Sequence, residues 1–131
     1  MIFVDSNIPM YLIGAAHANK DAARRALELW ITRGERLVTS AEVLQEILRR
    51  YATIGRLDAI QPALDALLGV VDEVFPIDAA DVENAKDVVM GRARLSARDA
   101  LHVAVMKRRG VERVMSFDTG FDAISWIERV C

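Results

Sequence analysis

Asp5, Glu46, Asp99 and Asp118 are the residues of this chain whose type and spacing can do chemistry. Each stands beside an apolar run or just inside a helical pattern. Asp5 follows the run Ile2-Phe3-Val4, and Asp118 lies just past the run Arg113 to Ser116. Asp99 falls in the first turn of a helix that Ser96 can cap. Glu46 lies about a turn and a half beyond Ser40, between Val43 and Ile47, whose spacing marks a buried face. Carboxylates crowded at one place repel each other, and burying even one unpaired charge is costly. Such a cluster without matching lysines implies a hard cation. Oxygen-only donors point to Mg²⁺ or Mn²⁺ rather than zinc. A cation so held can clamp a phosphate and lower the pKa of a bound water, which is the chemistry of phosphodiester hydrolysis.

Taken singly, the acids also have ordinary readings. Asp5 can cap a helix, Asp99 can favour a helix N-terminus, and Asp118 in Phe-Asp-Thr-Gly can be a turn residue. What joins them is the order of elements. Short apolar runs at Ile2–Val4, Leu37–Thr39, Val74–Ile77 and Arg113–Ser116 read as strands, with a further short strand within Ile124–Val130. Helical spacing covers Asp21–Arg33, Ala41–Ile54, about Asp58–Leu68, about Ala79–Met90 and Ala97–Arg109. Ser40, Asp78 and Ser96 are candidate caps, and Gly110 closes the last helix. Pro76 suggests an edge or strand-end position. Strands alternating with helices predict a three-layer α/β/α sandwich on a central parallel sheet of four to five strands. Ligands of such sheets bind at the carboxyl ends of the strands, where these acids fall.

The bulk numbers agree with one domain, spanning residues 1–131. Hydrophobic residues make up 53% and charged residues 27%, with a net charge of −2. That balance speaks against disorder and against a broadly basic, duplex-coating protein. No apolar run approaches a membrane span, and Met1 to Asp5 lacks the pattern of a signal peptide. The single Cys131 excludes an internal disulfide and a cysteine-based zinc site. A cytoplasmic protein fits best.

The residues resemble the PIN-domain ribonucleases, and among them the VapC toxins of toxin–antitoxin pairs. The resemblance rests on Ile2-Phe3-Val4-Asp5-Ser6-Asn7, on Thr39-Ser40 with Glu46, on Ser96-Ala97-Arg98-Asp99-Ala100-Leu101-His102, and on Ser116-Phe117-Asp118-Thr119-Gly120-Phe121. Their order and spacing cover nearly the whole chain. Ser6 and Ser116 stand where threonine is common, and both keep a hydroxyl. The resemblance implies a Mg²⁺- or Mn²⁺-dependent endoribonuclease with Asp5, Glu46, Asp99 and Asp118 as its acids. It adds Asp122 as a further candidate ligand and Asn7 as a residue that orients Asp5 or caps the helix. It also implies a homodimer inhibited by a small antitoxin.

Other polar residues are candidates for contact with RNA. Arg92, Arg94 and Arg98 precede Asp99 and can hold phosphates, with Arg49 and Arg50 as a second patch. His102 stands one turn after Asp99 and reads more as a packed residue than as a general acid, and His17 falls in a loop. Tyr11, Leu12 and Trp30 serve the core, a dimer or an antitoxin. A phosphatase with an aspartate nucleophile usually carries a second Asp two residues on, where this chain has Asn7. A receiver domain needs a late phosphate-pairing lysine, and the only late one is Lys107, inside a helix. The remaining alternative is a catalytically inactive scaffold of the same fold that binds RNA or protein.

Overall fold

The computed structural model describes residues 1–91 and 95–131. The candidate phosphate contacts Arg92 and Arg94 lie outside the described residues. Five strands form one parallel sheet: β1 (Ile2–Val4), β2 (Leu37–Ser40), β3 (Glu73–Phe75), β4 (Arg113–Met115) and β5 (Glu128–Arg129). Their order is β3-β2-β1-β4-β5. The six helices are α1 (Asn7–Ile13), α2 (Ala18–Thr32), α3 (Ala41–Thr53), α4 (Ile60–Leu68), α5 (Ala79–Gly91) and α6 (Ala97–Arg109). Short 3₁₀ turns cover Leu57–Ala59 and Thr119–Ala123.

The centre of the sheet explains its sequence. Ile2, Phe3 and Val4 are all fully buried, because helices cover both faces and a strand there cannot alternate with polar residues. β3 is an edge strand, and Pro76 follows its last residue, where a missing N–H breaks no ladder. β1 lies between β2 and β4, so the chain leaves it toward opposite edges. That reversal opens a crevice at the carboxyl ends of β1 and β4.

Local sequence sets the helix boundaries. The Ser96 hydroxyl accepts from the Asp99 N–H at 3.1 Å and starts α6. Gly110 ends α6 in the left-handed region at φ 69°, a conformation that suits glycine. Asp78 and Asp81 cap the start of α5 reciprocally, each carboxylate accepting from the other's backbone N–H at 3.1 Å. Arg108 of α6 reaches both acids, at 2.8 and 3.0 Å, and so ties the two helices together.

The helix start after Asp5 gains its extent, and two expectations shift. The stretch after Asp5 is a separate helix, α1, whose seven residues include Pro9 in the first turn, where a donor is not needed. α2 begins at Ala18, three residues earlier than the apolar spacing indicates, because His17 Nδ1 accepts from the Asn19 N–H and caps it. Ser40 occupies the cap position of α3 without making a side-chain cap, and its buried hydroxyl has no partner among the described residues.

Candidate active site

The register of β1 against β4 pairs Val4 with Met115, so the next residues, Asp5 and Ser116, emerge side by side from the sheet. The Ser116 hydroxyl donates to Asp5 Oδ2 at 2.6 Å and accepts from the Asp118 N–H at 3.0 Å. The Ser6 N–H donates to Asp5 Oδ1 at 2.7 Å. Asn7 bridges the two strand ends. Its Nδ2 donates to Ser116 Oγ at 3.1 Å and, more loosely, to Asp5 Oδ2 at 3.4 Å, while its Oδ1 accepts from the Phe117 N–H. Asn7 therefore touches Asp5 and makes no helix cap.

Two helices bring further groups to this edge. On α3, Val43 and Ile47 are fully buried, and Glu46 between them is turned inward with only 7% exposure. On α6, Asp99 and His102 are three residues apart and share a face. His102 is completely buried, and its Nε2 lies 2.9 Å from Glu46 Oε1 and 3.8 Å from Asp5 Oδ1. The Phe3 ring packs against the imidazole, with centroids 5.4 Å apart. His102 Nδ1 has no hydrogen-bond partner among the described residues, so the ring proton belongs on Nε2, facing Glu46.

The charges are strongly unequal in their surroundings. Burial raises the Asp5 pKa, and the neighbouring His102 and the Ser116 hydrogen bond only partly offset it. Asp99 is pushed up to about 7, first by burial and then by hydrogen bonding and repulsion from Asp118. Two carboxyls that close cannot both ionise unless a cation joins them. Glu46 goes the other way. Burial would raise it, but the bonds from His102 and the Ser6 hydroxyl and the charge of Arg98 together bring it below the usual range. Burial opposes protonation of His102, and the Glu46 bond with the charges of Asp5, Glu46 and Asp99 outweighs it, so its pKa is raised.

Asp5 and Glu46 each offer a carboxylate oxygen, and these lie within 4.8 Å of each other and of His102 Nε2, whose proton faces Glu46. Asp99 lies beside Asp118, and its charge also reaches Asp5 and His102. This cluster of hard oxygen donors fits a metal ion. Asp122 belongs to neither group. Arg129 of β5 grips both its oxygens, with Nε and Nη2 at 3.0 and 3.1 Å, and a fork of that kind holds a carboxylate firmly. Arg98 is exposed in the first turn of α6 and close enough for its charge to reach Glu42 and Glu46.

Comparison with known proteins identifies the architecture. The family model described as PIN domain matches residues 2–127. The chain belongs to the PIN-domain family. This PIN domain is 59% identical to the protein named Ribonuclease VapC13 of Mycobacterium tuberculosis over 130 residues, 99% of both chains. It is 43% identical over 118 residues to Ribonuclease VapC23 of the same species, covering 90% of this chain and 93% of the relative. Among solved structures it matches that of Mycobacterium tuberculosis VapC20, titled a Sarcin-Ricin loop cleaving toxin. There the TM-score is 0.81 and the identity 28%, with both chains fully covered.

His102 and Ser116 are site residues that sequence reasoning undervalued. His102 lies in an Ala-Leu-His-Val-Ala stretch that looks like core, and it is core. Its spacing from Asp99 was the available signal that it also faces the acids.

Proposed function

We propose that this PIN domain is a metal-dependent endoribonuclease and the toxin of a toxin–antitoxin pair. One observation carries the reading. Asp5 and Glu46 come together around the buried His102 at the carboxyl edge of the sheet, and Asp99, crowded by Asp118, lies close enough for its charge to reach Asp5 and His102. The relatives named ribonucleases, similar along almost the whole chain, make RNA the substrate.

Asp5, Asp99 and Asp118 bind the cation directly or through water. Mg²⁺ or Mn²⁺ suits such a donor set. The cation, when bound, supplies positive charge to the phosphate and eases proton loss from water. Glu46, kept ionised by His102 and Ser6, orients the attacking water toward phosphorus. Asn7 and Ser116 hold Asp5 in place, and such supports are worth about 10–100-fold in metal affinity or activity. Asp122 remains a secondary candidate ligand that must first leave Arg129. Arg98 is placed to meet RNA phosphate.

The partner is a small antitoxin, and the chain acts as a homodimer in the cytoplasm. A solved toxin–antitoxin complex from Klebsiella pneumoniae has the same fold, with a TM-score of 0.71 at 17% identity and 100% and 98% of the two chains covered. No described helix is long and apolar enough to cross a membrane.

The test is cleavage of total RNA by the purified protein in Mg²⁺ or Mn²⁺, against chelator and against Asp5→Asn. Cleavage should need the metal and vanish in Asp5→Asn while the circular dichroism spectrum is kept. Full activity in chelator or in Asp5→Asn sinks the reading. RNA binding without metal-dependent cleavage would identify an inactive scaffold instead.

A further inference from the structure

A second cleft opens beside the acids. It has a volume of about 470 Å³, and its walls include Asn7, Tyr11, His17, Arg50 and Tyr51. Two helices lead to it from the acid cluster by the same step. On α1, Asn7 touches Asp5, and Tyr11 stands four residues later on the same face. On α3, Glu46 faces the cluster, and Arg50 stands four residues later. The cleft therefore lies about one helical turn, roughly 5 Å, from the acids along both helices.

Its chemistry is aromatic and cationic. The Tyr11 ring packs against His17, with centroids 5.1 Å apart, and edge-on against Phe117, at 5.3 Å. Phe117 directly precedes Asp118, so the aromatic row runs back to the acids. His17 and Arg50 are exposed, and Tyr11 is partly so. Arg50 makes no ion pair among the described residues.

Single-stranded RNA is recognised by stacking its splayed bases on aromatic rings while cations track the backbone. We propose that this cleft holds the base of an unpaired nucleotide flanking the scissile phosphate. Tyr11 and His17 stack on the base, Phe117 braces Tyr11, and Arg50 meets a phosphate of the same strand. The inference rests on the nuclease reading above.

The test begins with an RNA that the wild-type protein cuts, found by mapping cleaved ends in total RNA. Synthetic versions then carry one abasic nucleotide at each position flanking the cut. At one position the missing base should raise the wild-type KM about tenfold, within the range of one stacked base. Tyr11→Leu should show a similar KM on the intact RNA and no further loss on the abasic one. Tyr11→Phe should restore the wild-type behaviour. Arg50→Ala, on an exposed helix face, should raise KM and lessen its salt dependence whatever the folding of Tyr11→Leu.

An abasic penalty that persists in Tyr11→Leu, or a wild-type KM in both Tyr11→Leu and Arg50→Ala, overturns the proposal. Variants that cut RNA normally but escape the antitoxin overturn it too, and give the cleft to the protein partner. A wild-type protein that cuts no RNA with Mn²⁺ overturns the nuclease reading itself, and this inference with it.

Discussion

His102 Nε2 lies 2.9 Å from Glu46 Oε1, with the imidazole fully buried and Glu46 nearly so, and the pair joins α6 to α3. Removing one partner of a buried ionic pair costs far more than the pair contributes, because the other is left in a dry site. His102→Ala should therefore lower stability by about 3–5 kcal/mol. His102→Gln keeps a side-chain N–H and should recover part of that. Urea unfolding in chelator measures both. Equal losses in Ala and Gln would mean that packing against Phe3, and not the bond to Glu46, sets the cost.

The metal-free protein should become less stable as pH rises. Asp99 has an ordinary pKa of 3.8 and reaches about 7 in the fold. Between those values the folded chain keeps a proton that the unfolded chain has released, so stability falls across that interval and levels off above it. Asp5 and His102, both raised, act in the same direction. Glu46, which is lowered, opposes them only near its ordinary value of 4.5. Thermal midpoints in chelator should drop from about pH 5 to about pH 8. Mg²⁺ should restore the midpoint at the upper pH and release protons on binding at about pH 6. A flat profile in chelator would refute the crowding of these carboxyls.

Much of the fold was legible because the strands other than β5, which is only Glu128–Arg129, lie in short apolar runs and the long helices carry a stripe. α1 was legible only as a helix start at the polar Asp-Ser-Asn triplet, since its seven residues from Asn7 show too little periodicity to fix its extent. The acids were legible as strand-end residues, but their partners were not. The hold of Arg129 on Asp122 depends on where β5 pairs, which no local pattern states. The bond from Ser116 to Asp5 depends on the β1–β4 register across more than a hundred residues of chain. His102 was hidden because apolar neighbours indicate burial equally well for a packed residue and for one that faces a charge.

Asp99→Asn separates stability from function. The amide cannot ionise, so repulsion with Asp118 and the burial of a charge both disappear. In chelator at about pH 8 the variant should be more stable than wild type, while RNA cleavage and metal-induced stabilisation are lost. Differential scanning calorimetry with and without Mn²⁺ reads both effects. A less stable variant would show that Asp99 is held by favourable contacts, and that the strain assigned to it is absent.

Gly120 supports the acid pair from behind. Its N–H donates to Asp118 Oδ1 at 2.8 Å. A Cβ built there would meet that same oxygen at 3.0 Å and Asp99 Oδ2 at 3.8 Å. The first contact is tighter than side chains ordinarily accept, and its partner is a carboxylate that can shift. Gly120→Ala should therefore move Asp118 by a few tenths of an ångström and leave the sheet and helices in place. Displacing a ligand's support typically costs about tenfold or more in metal affinity. Mn²⁺ titration followed by electron paramagnetic resonance should show that loss, with the unfolding midpoint in chelator nearly unchanged. Wild-type Mn²⁺ affinity in Gly120→Ala would remove Asp118 from the metal site.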